Sequence, residues 1–176
     1  MTIVSHSVVP DLSPAPAPAA APVAVEHAPD AITLLPSRAA LIDHLAGRLP
    51  GSGTAPATLV VVGLLRRDDG WPTPGSVLTQ VTALLAGGLR GDDWIARSGQ
   101  AEFGIVLPGL ADAAEATTDR LVATVTGAVP GVSACAGLAT LEPGCTPEEV
   151  HRRATLSLDA ARHLGPRSLI RYRGTR

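Results

Sequence analysis

Arg90 and Asp93 stand three residues apart in Arg90-Gly91-Asp92-Asp93, and the pair has the chemistry of a recognition site. A guanidinium offers a planar fork to an anionic oxygen, and a carboxylate accepts from a pair of N–H donors. The Gly91-Asp92 turn would put both side chains on one side of a helix-to-strand corner. The ordinary alternative is a solvated turn, or a surface ion pair worth under about 1 kcal/mol. Downstream, Asp93 to Pro108 reads as strand, turn, strand, with Glu102 as its later carboxylate. Asp68 and Asp69 are the other acidic residues near this region, in a polar loop from Arg66 to Pro74 that also carries Trp71 as a candidate contact residue.

Other chemistries are poorly provided for. All 14 basic residues are Arg, which removes a Walker-type phosphate loop and a Schiff-base lysine. His6, His27, His44, His151 and His163 show no mutual spacing for a metal or a triad, and surface positions are expected for them. Cys135 and Cys145 make neither a disulfide framework nor a zinc site, and Cys135 lies in an apolar run that points to burial. No Ser or Cys occupies a G-x-S-x-G elbow. The sequence implies no cofactor and no resident metal. A net charge of -2 argues against general binding to nucleic acid or a membrane surface. No secretory signal is visible and no apolar stretch reaches about 18 residues, so a cytoplasmic, soluble protein is expected.

The elements that must position these residues follow from periodicity. Residues 1–29 are Pro- and Ala-rich, and prolines at alternate positions block helix and sheet ladders, so a disordered or polyproline-like arm is expected. Residues 30–176 form the domain. Ser37 caps a helix to about Arg48, with Leu41, Ile42, Leu45 and Leu49 on one face. Thr58 to Leu65 is a continuous apolar run, the mark of a strand covered on both faces. Ser76 to Leu89 is helical, with Val77, Leu78, Val81, Leu84 and Leu85 as its stripe. A hairpin turns around Gly99-Gln100, and a helix follows from Ala111 to Val125. Val132 to Leu138 is a second buried strand. Thr146-Pro147-Glu148-Glu149 combines a capping box with Pro at the first helical position, and Gly165 ends that helix. Ser168 to Tyr172 closes the chain as a strand. The order predicts an α/β (α+β) fold, a mixed five-stranded sheet surrounded by helices.

Four patches in register carry a family resemblance. Asp30-Ala31-Ile32-Thr33-Leu34-Leu35-Pro36-Ser37-Arg38 resembles D-x-L-T-G-L-P-N-R, and Arg97-Ser98-Gly99-Gln100-Ala101-Glu102-Phe103 resembles R-Y-G-G-D-E-F. Cys135-Ala136-Gly137-Leu138-Ala139 resembles S-I-G-I-A, and Ala161-Arg162-His163-Leu164-Gly165 resembles A-K-x-x-G. Together they resemble the GGDEF (diguanylate cyclase) family over about Asp30 to Tyr172. That resemblance implies the nucleotidyl-cyclase-like fold with its signature hairpin. In the family, two GTP molecules are joined into cyclic di-GMP with divalent metal held by carboxylates. Here the signature is Gly99-Gln100-Ala101-Glu102-Phe103: the acidic ligand is Ala101, and the first-strand ligand falls at or near Gly63. Gln100 would crowd the approach that Gly allows, and Arg162 replaces a phosphate-holding Lys. Phe103 reads as core and Glu102 as an orphaned carboxylate or turn residue.

The resemblance therefore implies a degenerate, catalytically inactive domain. Five residues separate Asp93 from Gly99, the spacing of the family's inhibitory site, where R-x-x-D binds cyclic di-GMP. The leading expectation is a cyclic di-GMP sensor or effector acting through Arg90 and Asp93 on a regulatory protein partner, with a homodimer open because the family's site is often completed by a second domain or a second molecule. A ligand-independent interaction domain is the alternative, using the hairpin or the C-terminal stretch from Arg152 to Arg176, where seven Arg face one Asp. A residual cyclase or a GTP-binding pseudoenzyme using Asp68, Asp69 and Glu102 is the third reading.

Overall fold

The computed structural model describes residues 27–66 and 73–174. Most of the N-terminal arm, together with Asp68, Asp69 and Trp71, lies outside the described residues. The elements run α1 (Arg38–Arg48), β1 (Ala57–Arg66), α2 (Gly75–Gly88), β2 (Trp94–Gly99), β3 (Glu102–Pro108), α3 (Ala111–Ala128), β4 (Val132–Thr140), α4 (Pro147–Leu164) and β5 (Leu169–Arg171). A short 3-10 turn, Leu49–Gly51, follows α1.

The sheet order is β2-β3-β1-β4-β5. β1 is antiparallel to both β3 and β4, β2 pairs antiparallel with β3, and β5 runs parallel to β4. Two crossovers, β1-α2-β2 and β3-α3-β4, interleave around the shared centre, the split βαβ arrangement. This is the mixed five-stranded sheet with helices that the sequence predicts.

Strand alternation assigns each face its helices. Val60, Val62 and Leu64 of β1 join Phe103, Ile105, Ala136 and Leu138 in a core with the buried faces of α2 and α3. Leu59 and Val61 face the other way, with Val106, Cys135 and Ala139, toward α1 and α4. Both faces of β1 are buried, which is why its sequence is apolar without alternation. The core is aliphatic apart from Phe103, which is fully buried as expected. Cys135 is buried as well, and burial pushes its thiol up to about 11, so it packs as a small apolar residue.

The caps form where their residue types require. Ser37 Oγ accepts from Ala40 N, and Thr146 Oγ1 accepts from Glu149 N at 3.2 Å. Only that half of the capping box is made. Glu149 turns its carboxylate to Arg152 and Arg153 instead, which hold it down at about 2. Gly165 ends α4 at φ 103.

One glycine is required by close approach. A Cβ on Gly137 would lie 2.1 Å from Leu158 N and 2.2 Å from Ala154 O, so α4 rests directly on the β4 backbone. That contact sets α4 over the sheet and brings its later side chains toward the hairpin.

Candidate functional site

The hairpin turns at Gln100-Ala101, one residue later than Gly99-Gln100. Arg97 pairs with Phe103 and Gly99 pairs with Glu102, so Ser98 is the extra residue of a bulge. The bulge re-aims the strand. Arg97 faces α2, while Ser98 faces α4 and bonds His151 Nε2 at 2.9 Å. His151 is buried, contrary to the expected surface position, because it shares the inward face of α4 with Ala154, Leu158 and Ala161. Burial and then the Arg38 charge hold its ring below the usual histidine range, although Glu102 pulls the other way.

Glu102 is not orphaned. Gly63 lies opposite it on β1, and both are on the α4 side of the sheet. Arg162 reaches across from α4 and donates from Nη2 to Glu102 Oε1 at 2.7 Å and from Nη1 to Asp159 Oδ1 at 3.0 Å. The same Nη2 is 3.0 Å from where a Gly63 Cβ would stand. Burial works against the guanidinium charge, but Glu102 and Asp159 outweigh it and raise Arg162 above the usual arginine value. A cation of the protein's own thus fills the space between the first-strand position and the signature carboxylate. Ala101 is buried in the opposite core and supplies only a methyl group, and its carbonyl accepts from Leu64 N. Among the described residues, no three His, Cys, Asp or Glu side chains converge as metal ligands.

Four arginines of the basic C-terminal stretch are engaged in ion pairs. Arg152 and Arg153 pair with Glu149, Arg153 also with Glu142, Arg162 with Glu102, and Arg171 with Asp112 and Glu115. Apart from Asp159, its acidic partners lie outside the stretch, which a count along one segment misses.

Arg90 and Asp93 sit at the corner between α2 and β2. Asp93 Oδ2 accepts from Arg90 N at 2.7 Å, and Asp93 N donates back to Arg90 O at 3.2 Å. The carboxylate is therefore fixed to its own turn. The corner opens on a cleft of about 240 Å³ whose other wall is α3, through Ala113, Thr117 and Arg120. Arg120 also donates from Nη2 to Gly88 O at the end of α2, which ties α3 to the corner. The sequence reading does not include Arg120. Its only signal is a phase in α3 adjoining the buried Leu121, and nothing local links it to a residue 27 positions earlier. Two guanidiniums against one carboxylate give this cleft a positive balance suited to an anion that also carries hydrogen-bond donors.

No protein-family profile matches the sequence, and no curated protein does. Solved structures do match. The GGDEF domain of DgcB from Caulobacter crescentus, in complex with c-di-GMP, has a TM-score of 0.74 at 20% identity, covering 86% of this chain and 99% of that one. The FimX GGDEF domain from Pseudomonas aeruginosa has a TM-score of 0.72 at 23% identity, over 83% of this chain and 99% of its own. Diguanylate cyclase SiaD from Pseudomonas aeruginosa, in complex with its activator SiaC, has 0.71 at 23% identity, with 81% of this chain covering 61% of SiaD. The fold of this chain is that of a GGDEF domain. Among the described residues no helix is long and apolar enough to cross a membrane.

Proposed function

We propose that this chain is a catalytically silent GGDEF-fold domain that binds cyclic di-GMP at the Arg90, Asp93 and Arg120 cleft and relays that state to a protein partner. The observation that carries the reading is the contrast between its two sites. At the hairpin, Gly63 and Ala101 offer no carboxylate and the remaining one, Glu102, is held by Arg162. At the α2–β2 corner, a carboxylate and two guanidiniums line an open cleft. Joining two triphosphates needs divalent metal, and metal needs acidic ligands. Binding a cyclic dinucleotide needs only the fork of an arginine and a carboxylate for the guanine edge.

The c-di-GMP in the DgcB complex supports this ligand for a domain of this fold. The cleft volume, about 240 Å³, falls below the roughly 300–1,000 Å³ typical of pockets that enclose a small molecule. It therefore takes one guanine and its phosphate, and the rest of the dinucleotide is left for a second molecule of this chain. Calorimetric titration with cyclic di-GMP, with GTP plus magnesium in parallel, tests the reading. Binding of the dinucleotide without metal, at one dinucleotide per two chains and with ligand-induced dimers, supports it. Metal-dependent binding of GTP alone refutes it and restores the cyclase reading.

A second reading, a ligand-independent interaction domain, has its own support. Leu34 is 77% exposed and held at φ 58, with Ile32 beside it also exposed. A strained, exposed leucine at a corner suits contact with another protein, and SiaD with its activator SiaC is a cyclase in complex with a protein partner. Arg90→Ala separates the two readings. It abolishes nucleotide binding under the first and leaves partner binding unchanged under the second.

A further inference from the structure

The hairpin pattern that this chain resembles, R-Y-G-G-D-E-F, carries Tyr where Ser98 stands. The exchange takes a whole aromatic ring out of the hairpin wall that faces α4. A cavity of about 420 Å³ opens there, between α1, α4 and the hairpin. It lies across the hairpin from α2 and shares no residue with the Arg90 cleft. We propose that this cavity binds a free aromatic amino acid, its ring beside Ser98 and its two charged ends at Arg38 and Glu148. The proposal goes beyond the cyclic di-GMP reading and does not depend on it.

The walls suit a ring. Ser98 and His151 both line the cavity and are well enclosed, and their hydrogen bond at 2.9 Å joins the hairpin to α4. That bond uses one ring nitrogen of His151, and Nδ1 has no partner among the described residues. Thr155 spends its hydroxyl proton on His151 O at 3.0 Å. Ile42 of α1 and Leu156 of α4 add apolar wall. Leu156 is left 47% exposed, apolar area that a bound ring would take out of water. The volume lies within the range of pockets that enclose small molecules.

The rim selects the rest of the molecule. Of the carboxylates and guanidiniums lining the cavity, Glu102 is held by Arg162, and Arg152 by Glu149. Arg38 and Glu148 remain, both exposed, and neither has an ion-pair partner among the described residues. Arg38 opens α1, whose first turn holds no acidic residue, so its charge stands at the positive end of the helix dipole. A carboxylate brought beside it relieves that repulsion. Glu148 lies in the first turn of α4 and can accept from an ammonium group. One cation and one anion on the same rim favour a zwitterion over a simple acid or a simple amine.

The test is a proton–nitrogen NMR titration of the full chain with L-phenylalanine. The amide signals of Gly99, His151, Arg152 and Thr155 are expected to shift saturably. Phenethylamine, which lacks the carboxylate, 3-phenylpropionate, which lacks the ammonium group, and L-alanine, which lacks the ring, should each bind at least about tenfold more weakly. Ser98→Tyr should fill the space and abolish binding while the chain still unfolds cooperatively. Arg38→Gln, at an exposed position, should weaken phenylalanine about tenfold and leave phenethylamine unchanged, and it carries the test alone if Ser98→Tyr does not fold. Absent shifts, shifts centred on the Arg90 corner, equal affinity for L-alanine, or indifference to Arg38→Gln would each overturn the proposal. So would equally tight binding of N-acetylphenylalanine amide, which would assign the cavity to an aromatic side chain of a protein partner. Arg90→Ala should bind phenylalanine as the wild type does, so failure here leaves the cyclic di-GMP reading standing, and the reverse also holds.

Discussion

Removing Arg162 should cost more than removing its partner Glu102. Glu102 is 20% exposed at the side chain and Arg162 31%, and they meet at 2.7 Å. A hydrogen bond to a charged group is worth about 1.5–3 kcal/mol when buried, and exposed ion pairs about 0.2–1 kcal/mol. This pair is partly solvated, so its coupling should lie near 1–1.5 kcal/mol. Glu102→Ala leaves Arg162 still bonded to Asp159 Oδ1 at 3.0 Å, so its cost should stay near 1 kcal/mol. Arg162→Ala leaves a largely buried carboxylate without its donor, and about 2 kcal/mol is expected. Urea unfolding of the two single variants and the double variant, at constant m-value, gives the cycle. Costs that add to within about 0.3–0.5 kcal/mol, as for distant sites, would refute the pairing. A larger loss for Glu102→Ala than for Arg162→Ala would refute the asymmetry.

Leu34 at φ 58 occupies a left-handed conformation that costs an L-residue about 1–2 kcal/mol. Allowing for the chain entropy glycine loses on folding, Leu34→Gly should stabilise by about 0.5–1 kcal/mol, read as a rise in melting temperature of a few degrees. Gly137→Ala should do the opposite by about 3 kcal/mol or more, or prevent soluble expression, since its Cβ meets the α4 backbone near 2 Å. His151 is held below its ordinary value when folded, so the unfolded chain binds its proton first. Its contribution is whole above about pH 6.5 and is lost as pH falls from there toward the folded value. His151→Gln should flatten the stability profile in that window, with the carboxylates contributing only at lower pH; an unchanged slope would count against the buried neutral ring.

Much of this fold was legible because its signals are local. Ser37 and Thr146 are capping residues followed by apolar periodicity, and the helices begin where they stand. The hairpin was legible in kind and off by one in register, since the bulge at Ser98 absorbs a residue that a simple two-residue turn does not. His151 could have been placed inside, because positions 151, 154, 158 and 161 keep the helical spacing of the inward face. Glu102 and Arg162 are 60 residues apart, and only the seating of α4 on Gly137 brings them together. Arg171 with Asp112 and Glu115, and Arg120 beside Arg90, are likewise distant in sequence, whereas Arg152 and Arg153 with Glu149 are local helical pairs at i,i+3 and i,i+4. Long-range pairings between charged groups leave no periodic trace in a sequence.

The central claim is that the Arg90 corner, and not the hairpin, is where this domain meets a nucleotide. Equilibrium binding of cyclic di-GMP to the wild type and to Arg90→Ala, without added metal, tests it most directly. The account predicts micromolar or tighter binding by the wild type, falling at least about tenfold in the variant through loss of one charge-assisted contact and its fork. No binding by the wild type, or equal affinity in both, would contradict it.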